Sequence, residues 1–338
     1  MTTVPSRTFG RRSFIAKTSA LGVASLLHVP PSSAAEPPPE IKKVRLVRNV
    51  ALCLAPQYIA EELLHLEGFT DVEYVEVSAG LNLSLVERNQ ADLTMEAAPA
   101  LAFGMDANPS VVALAGIHGG CYELIANEKV HAIRDLKGKT VAVYAVGGGD
   151  HVLLSSMLAY VGMDPRKDVT WLVEENVDAM HNFVEGKADA FMGFAPQPQE
   201  LRAKGVGRVI VNTTQDRPWS QYFCCMLVAS REFISKYPVA TKRSLRAFLK
   251  AADICAQDPE RAAKLLVAKG YDSRYEMALE VVKSLPYRMW READPEDSLR
   301  FFGLRLHEVG MIKSTPQKLI ARGTDWRFLR ELKKELKA

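Results

Sequence analysis

The chain has 338 residues, 48% of them hydrophobic, with 43 Lys and Arg against 40 Asp and Glu for a formal charge of +3. Four of those cations, Arg7, Arg11, Arg12 and Lys17, fall in residues 1–35, which hold no acid, so the rest of the chain carries −1. A nearly neutral chain gives no electrostatic case for a nucleic acid or an anionic membrane as partner, and its length suits two lobes rather than several independent domains.

The first segment, Gly10-Arg11-Arg12-Ser13-Phe14-Ile15-Ala16-Lys17, sets paired arginines just ahead of hydrophobic residues, the pattern of a twin-arginine export address. The apolar run from Ser19 to Val29 is too short to span a bilayer. Ser33-Ala34-Ala35 supplies small residues for cleavage before Glu36. Residues 1–35 therefore read as a removable signal peptide. With no cysteine at the cut to carry a lipid, the expectation is a soluble periplasmic protein.

Residues 36–43, opening with Glu36-Pro37-Pro38-Pro39-Glu40, read as a stiff linker. The apolar, β-branched run Val44 to Leu54 predicts a strand, and Tyr58 to Leu66 a helix stopped at Gly68. Strands at 72–77, 92–95 and 111–117 then alternate with helices at 81–88 and 98–105, and Tyr122 to Asn127 closes a first unit. A second unit opens at Asp135-Leu136-Lys137-Gly138-Lys139, with strands at 140–144, 169–173, 188–192 and 206–211 and helices at 151–161 and 177–185. Such alternation implies parallel sheets, whose ligands bind beyond the carboxyl ends of the strands. The segment Gln221 to Ala229 predicts a strand long enough to pass between the units, and the remainder to Ala338 is mainly helical.

The cysteines Cys53, Cys121, Cys224, Cys225 and Cys255 are odd in number and spaced unlike a disulfide framework. Cys53, Cys224 and Cys225 sit in apolar runs and read as small buried hydrophobes. The seven histidines show no pair at helical ligand spacing and no zinc pattern.

Several local features, in order along most of the chain, resemble the periplasmic substrate-binding proteins of sulfonate, nitrate and thiamine-precursor uptake systems. They are Ala55-Pro56-Gln57-Tyr58-Ile59-Ala60, Val86 to Asp92, Asp135 to Val143, Phe183 to Ala190 and Arg231-Glu232-Phe233-Ile234. The resemblance implies a type II two-lobed α/β periplasmic-binding-protein fold, each lobe a mainly parallel sheet flanked by helices, with the ligand cleft between them. Residues 44–131 and 222–338 would form lobe one and 132–221 lobe two, with hinges near Lys129 to Arg134 and Trp219 to Tyr222. It further implies a monomeric, non-enzymatic component of an ABC importer, without a cofactor, closing on a small solute for a membrane permease and its ATPase.

Loops at strand ends supply the candidate ligand residues Gln57, Tyr58, Ser78, Gly80, Glu96, His118 and Tyr122 in lobe one, and Gly148, Gly149, Asp150, His151, Phe194 and Gln197 in lobe two. Trp219 joins Tyr58 and Phe194 as a candidate stacking face. Gly147-Gly148-Gly149 would free backbone N–H groups at a helix start, an anion-friendly arrangement that sulfonate binders of this kind use. Here Asp150 follows, and it either caps its helix or, with Glu96, makes the cleft acidic. The second case favours a neutral or cationic heterocycle or aromatic over a sulfonate or nitrate. Two rival readings share the fold. One is an enzyme like the thiamine-pyrimidine synthase, whose run of cysteines Cys224-Cys225 faintly resembles; the other is the ligand-sensing partner of a membrane receptor.

Overall fold

A computed structural model describes Met1 and residues 36–49, 51–77, 82–174 and 178–338. The expected signal peptide lies outside the described residues, apart from Met1. No helix among them is long and apolar enough to cross a membrane.

The chain forms two five-stranded mixed sheets within one unit, Pro38–Ala338. The first has the order β2 (Asp71–Glu76), β1 (Lys43–Arg48), β3 (Leu93–Ala97), β10 (Phe223–Ser230), β4 (Val111–Gly119). The second has the order β7 (Val169–Leu172), β6 (Lys139–Ala142), β8 (Ala190–Phe194), β5 (Tyr122–Ala126), β9 (Arg208–Asn212). In both, the parallel strands come from strand–helix–strand units, and one strand delivered from the other half of the chain runs antiparallel between its neighbours. That strand is β10 in the first sheet and β5 in the second. Helices α1 (Ala55–Leu66), α2 (Asn82–Glu87) and α3 (Ala98–Ala107) belong to the first half, and α4 (Gly149–Tyr160), α5 (Ala179–Val184) and α6 (Gln197–Lys204) to the second. After β10, α7 (Arg231–Lys236) and α8 (Pro238–Gln257) lead a helical C-terminal part that reaches Glu335.

Three local expectations are corrected. The run Val44 to Leu54 is a strand only to Arg48, because the chain turns at Asn49 into a short 3-10 segment, Leu52–Leu54, that leads into α1. Tyr122 to Asn127, expected to close the first unit, begins with β5, which pairs with β8 and β9 of the second sheet. The crossings therefore lie at Gly120–Cys121 and between Asn212 and Phe223, the first of them upstream of the expected hinge at Lys129 to Arg134. For the same reason β10 does not pass between the units; it lies wholly within the first sheet.

The first sheet is covered by α1, which packs on α8, and the two helices are joined by a buried carboxylate. Glu67, just past α1, meets Arg246 at 2.7 Å and Lys250 at 3.5 Å, while Arg243 donates to its backbone carbonyl at 2.7 Å. Glu40 accepts from Val239 and Ala240 N at 2.8 Å each, so this end of the expected linker caps α8. Removing one partner from a buried, multiply bonded ion pair strands the other charges. Glu67→Gln should therefore destabilise the protein by about 3 kcal/mol in urea unfolding, with the m-value unchanged; an unshifted midpoint would show the cluster to be energetically idle.

Candidate functional site

The carboxyl ends of the parallel strands and the amino ends of the two antiparallel strands meet between the sheets, as the handedness of strand–helix–strand units dictates. There they enclose a cavity of about 40 Å³. The first half contributes Asn49 after β1, Asn82 at the start of α2 and Glu96 near the end of β3. The second contributes Tyr122 at the start of β5, Tyr144 after β6, Gly149 and Asp150 in α4, and Phe194 ending β8. The halves touch here: Leu52 N donates to Ala195 O at 3.3 Å. A second volume of about 200 Å³ lies alongside, between Leu83, Glu87 and Phe103 on one side and Val146 and Gly147 on the other, and Glu96 lines both.

Glu96 and Asp150 are the charged residues of the inner cavity among the described residues. Glu96 is buried and its Oε1 accepts from Ala97 N at 2.8 Å. Burial pushes its pKa up to about 8, against the lowering pull of the Ala97 N–H and of a hydrogen bond with Asn82. Asn82 Oδ1 is buried with no partner of its own among the described residues. The Asp150 carboxyl accepts from Tyr144 N at 2.7 Å, which closes the loop between β6 and α4. Burial raises its pKa to about 6, while the N–H groups of Tyr144 and His151 lower it. The N-cap of α4 is Gly148, so Asp150 is a first-turn carboxyl and not the cap.

Three aromatic rings also line the cavity. Phe194 stands edge-on to Tyr122, with centroids 5.7 Å apart, and is tilted against Tyr144 at 5.5 Å. The Tyr144 hydroxyl donates to Asp178 at 3.0 Å and accepts from the Gln197 amide. Gly149 allows the close approach: a Cβ there would lie 2.6 Å from Tyr122 Oη and 3.1 Å from Ala97 Cβ.

Of the residues expected at the site, Glu96, Tyr122, Gly149, Asp150 and Phe194 line the inner cavity. The others are engaged nearby. Gln57 donates to Val47 O at 2.8 Å, and Tyr58 stacks on Tyr271 with centroids 3.5 Å apart and donates to Asn49 O, so both shape the segment that presents Asn49. His118 is buried beside Cys121 and Cys225; Gly148 caps α4; and Gln197 holds Tyr144. Burial lowers the His151 pKa to about 4, and the neutral ring accepts from Gly147 N at 3.1 Å. Trp219 packs edge-on against Tyr160 and Phe301 at the second crossing. Ser78 and Gly80 lie outside the described residues. Asn49, Asn82, Tyr144, Cys53 and Cys225 also line the cavity and were not anticipated. A strand-end rule could have flagged Tyr144, two residues past β6.

These features define a class, the two-lobed α/β proteins with a cleft between facing sheets, and solved structures share that fold. The periplasmic nitrate-binding protein NrtA from Synechocystis PCC 6803 superposes with a TM-score of 0.75 at 18% identity, over 89% of this chain and 90% of that one. The alkanesulfonate-binding protein SsuA from Xanthomonas axonopodis pv. citri, bound to MOPS, gives 0.67 at 18% identity, over 87% and 100%. Residues 66–262, more than half of the chain, match the model described as NMT1/THI5 like, and the chain belongs to that family. The bicarbonate-binding protein CmpA of Synechococcus sp. is 28% identical over 112 residues, which is 32% of this chain and 24% of that protein. The chain thus matches about a quarter of the length of that curated relative.

Two outcomes follow from the geometry. Gly149→Ala would drive a methyl group into Tyr122 of its own half and crowd Ala97 of the other, so it should lower the melting temperature or abolish solute binding; a variant normal in both would show the close approach to be dispensable. For Glu96 the folded pKa is about 8 against an ordinary 4.5. The folded state therefore holds the proton more tightly, and the stability this contributes is present at low pH and is lost as pH rises towards 8. The stability of the wild-type protein relative to Glu96→Gln should fall by about 1.4 kcal/mol per pH unit between about pH 5 and pH 8. A pH-independent difference would mean that Glu96 is ionised throughout.

Proposed function

We propose that this protein is the periplasmic solute-binding component of an ABC importer, exported by the twin-arginine route, closing its two lobes on a small neutral or cationic heterocycle or aromatic and delivering it to a permease and its ATPase. The observation that carries the reading is the inner cavity. Two buried carboxyls and three aromatic rings line it, no cation stands among its described residues, and the walls come from both sheets. A solute touching both halves makes its full contacts only in the closed form, so binding shifts an open–closed equilibrium by that differential affinity. No covalent step is needed. At neutral pH a protonated Glu96 can donate to a heterocycle nitrogen, and a cationic solute would draw off that proton and pair with the carboxylate. A ring system is larger than the closed inner volume of about 40 Å³, so entry requires the halves to part at the two crossings.

That small volume also favours a second reading, a small anion of the nitrate or sulfonate type, held by the Glu96 hydroxyl and the Asn82 amide. A thermal-shift panel on the purified protein separates the two, because a ligand bound only by the folded state raises its melting temperature. Stabilisation by pyrimidines, flavins or related nitrogen heterocycles, lost in Asp150→Asn, is expected. Stabilisation by nitrate or simple sulfonates alone would replace the first reading with the second.

A further inference from the structure

Four of the five cysteines and one histidine converge at the edge of the inner cavity. Cys53 comes from the turn before α1, His118 from the end of β4, Cys121 from the link that follows, and Cys224 and Cys225 from the start of β10. All five residues are buried. The pairing of β10 with β4 is irregular on both sides of Cys225. An irregularity of this kind re-aims side chains that would otherwise alternate between faces, and the consecutive Cys224 and Cys225 both approach Cys121.

Within this cluster a ring nitrogen of His118 and the Sγ atoms of Cys121 and Cys225 lie within 4.8 Å of one another. His118 Nδ1 is 3.1 Å from Gly119 O. A carbonyl can only accept, so Nδ1 carries a ring proton and Nε2 is the nitrogen open to another partner. Nε2 is buried and has no partner among the described residues. One ring nitrogen fixed by a backbone carbonyl, with the other free beside thiols, is how metal-ligating histidines are held. Cys121 and Cys225 line the cavity itself.

We propose that His118 Nε2, Cys121 Sγ and Cys225 Sγ bind one zinc ion, whose fourth position opens on the inner cavity. Sulfur and imidazole ligands select a soft or borderline cation, and three protein ligands with one open position are the pattern of a zinc site that takes an exogenous ligand. Charge decides between the thiophilic candidates. Zinc(II) with two thiolates and a neutral imidazole is neutral overall, whereas copper(I) in the same set leaves a net negative charge in a buried site. Binding displaces the two thiol protons to solvent, so two protons leave for each ion taken up. The ligand atoms need to close by about 1 Å from their present spread to reach tetrahedral zinc distances. The proposal is independent of the identity of the solute.

The test uses full-length protein isolated without reductant and cleared of metal with EDTA, titrated with zinc against a chromophoric chelator in weak buffer. One zinc per chain with release of two protons is expected, and cobalt(II) in place of zinc should show thiolate charge transfer and tetrahedral absorption. His118→Gln and Cys225→Ser should each weaken zinc binding by about tenfold or more, while Cys255→Ser, in α8 and outside the cluster, leaves it unchanged. If either ligand variant fails to fold, the cobalt spectrum of the unaltered protein decides. Failure to take up zinc while all five thiols react in denaturant would overturn the proposal. So would binding of copper(I) but not zinc, or a disulfide joining Cys121 and Cys224, whose sulfurs are 3.1 Å apart.

Discussion

The two-residue link Gly120–Cys121 is the constraint on which the rest of the molecule depends. Both residues take positive φ, 63° and 114°. A Cβ on Gly120 would lie 2.3 Å from Thr214 Oγ1 and 2.6 Å from its Cα, so only glycine fits where the two crossings touch. On the far side of the link, Thr213 closes a double hook: its N–H and hydroxyl donate to Tyr122 O at 3.0 and 2.8 Å, and its Oγ1 accepts from Tyr122 N at 3.0 Å. The crossings are thereby tied to each other. The chain leaves the first sheet, enters the second antiparallel to its neighbours, and returns the same way as β10.

From that tie the site follows. Cys121 ends the link, Tyr122 begins β5, and Cys225 stands near the start of β10, so the two crossings and the ends of the parallel strands together line the cleft. The walls exclude water enough to raise both carboxyl pKa values, and in such surroundings a carboxyl is worth more as a neutral donor or as the partner of a cation than as a free charge. Under the proposed function the same crossings are where the lobes would rotate as the cavity opens.

Much of the architecture was legible from local pattern. The strand–helix alternation, the order of the units and the cluster Glu96, Tyr122, Gly149, Asp150 and Phe194 follow from strand ends and apolar periodicity. What failed has physical causes. β4 and β5 are apolar and separated by only two residues, so nothing local says that the second belongs to another sheet. Asp150 has the chemistry of an N-cap, yet Gly148 takes that place and the Asp150 carboxyl turns to Tyr144 N. The cysteine cluster was invisible because its members are scattered from Cys53 to Cys225 and meet only through sheet order and an irregular strand pairing; each alone looks like a small core residue.

The central claim, that two lobes close on a small solute, is tested most directly by small-angle X-ray scattering of the purified protein with and without a compound that raises its melting temperature. The account predicts a smaller radius of gyration on saturation, as ligand contacts draw the Val146–Asp150 loop against α2 and α3. A radius that stays the same while the compound is bound would place binding elsewhere and contradict it.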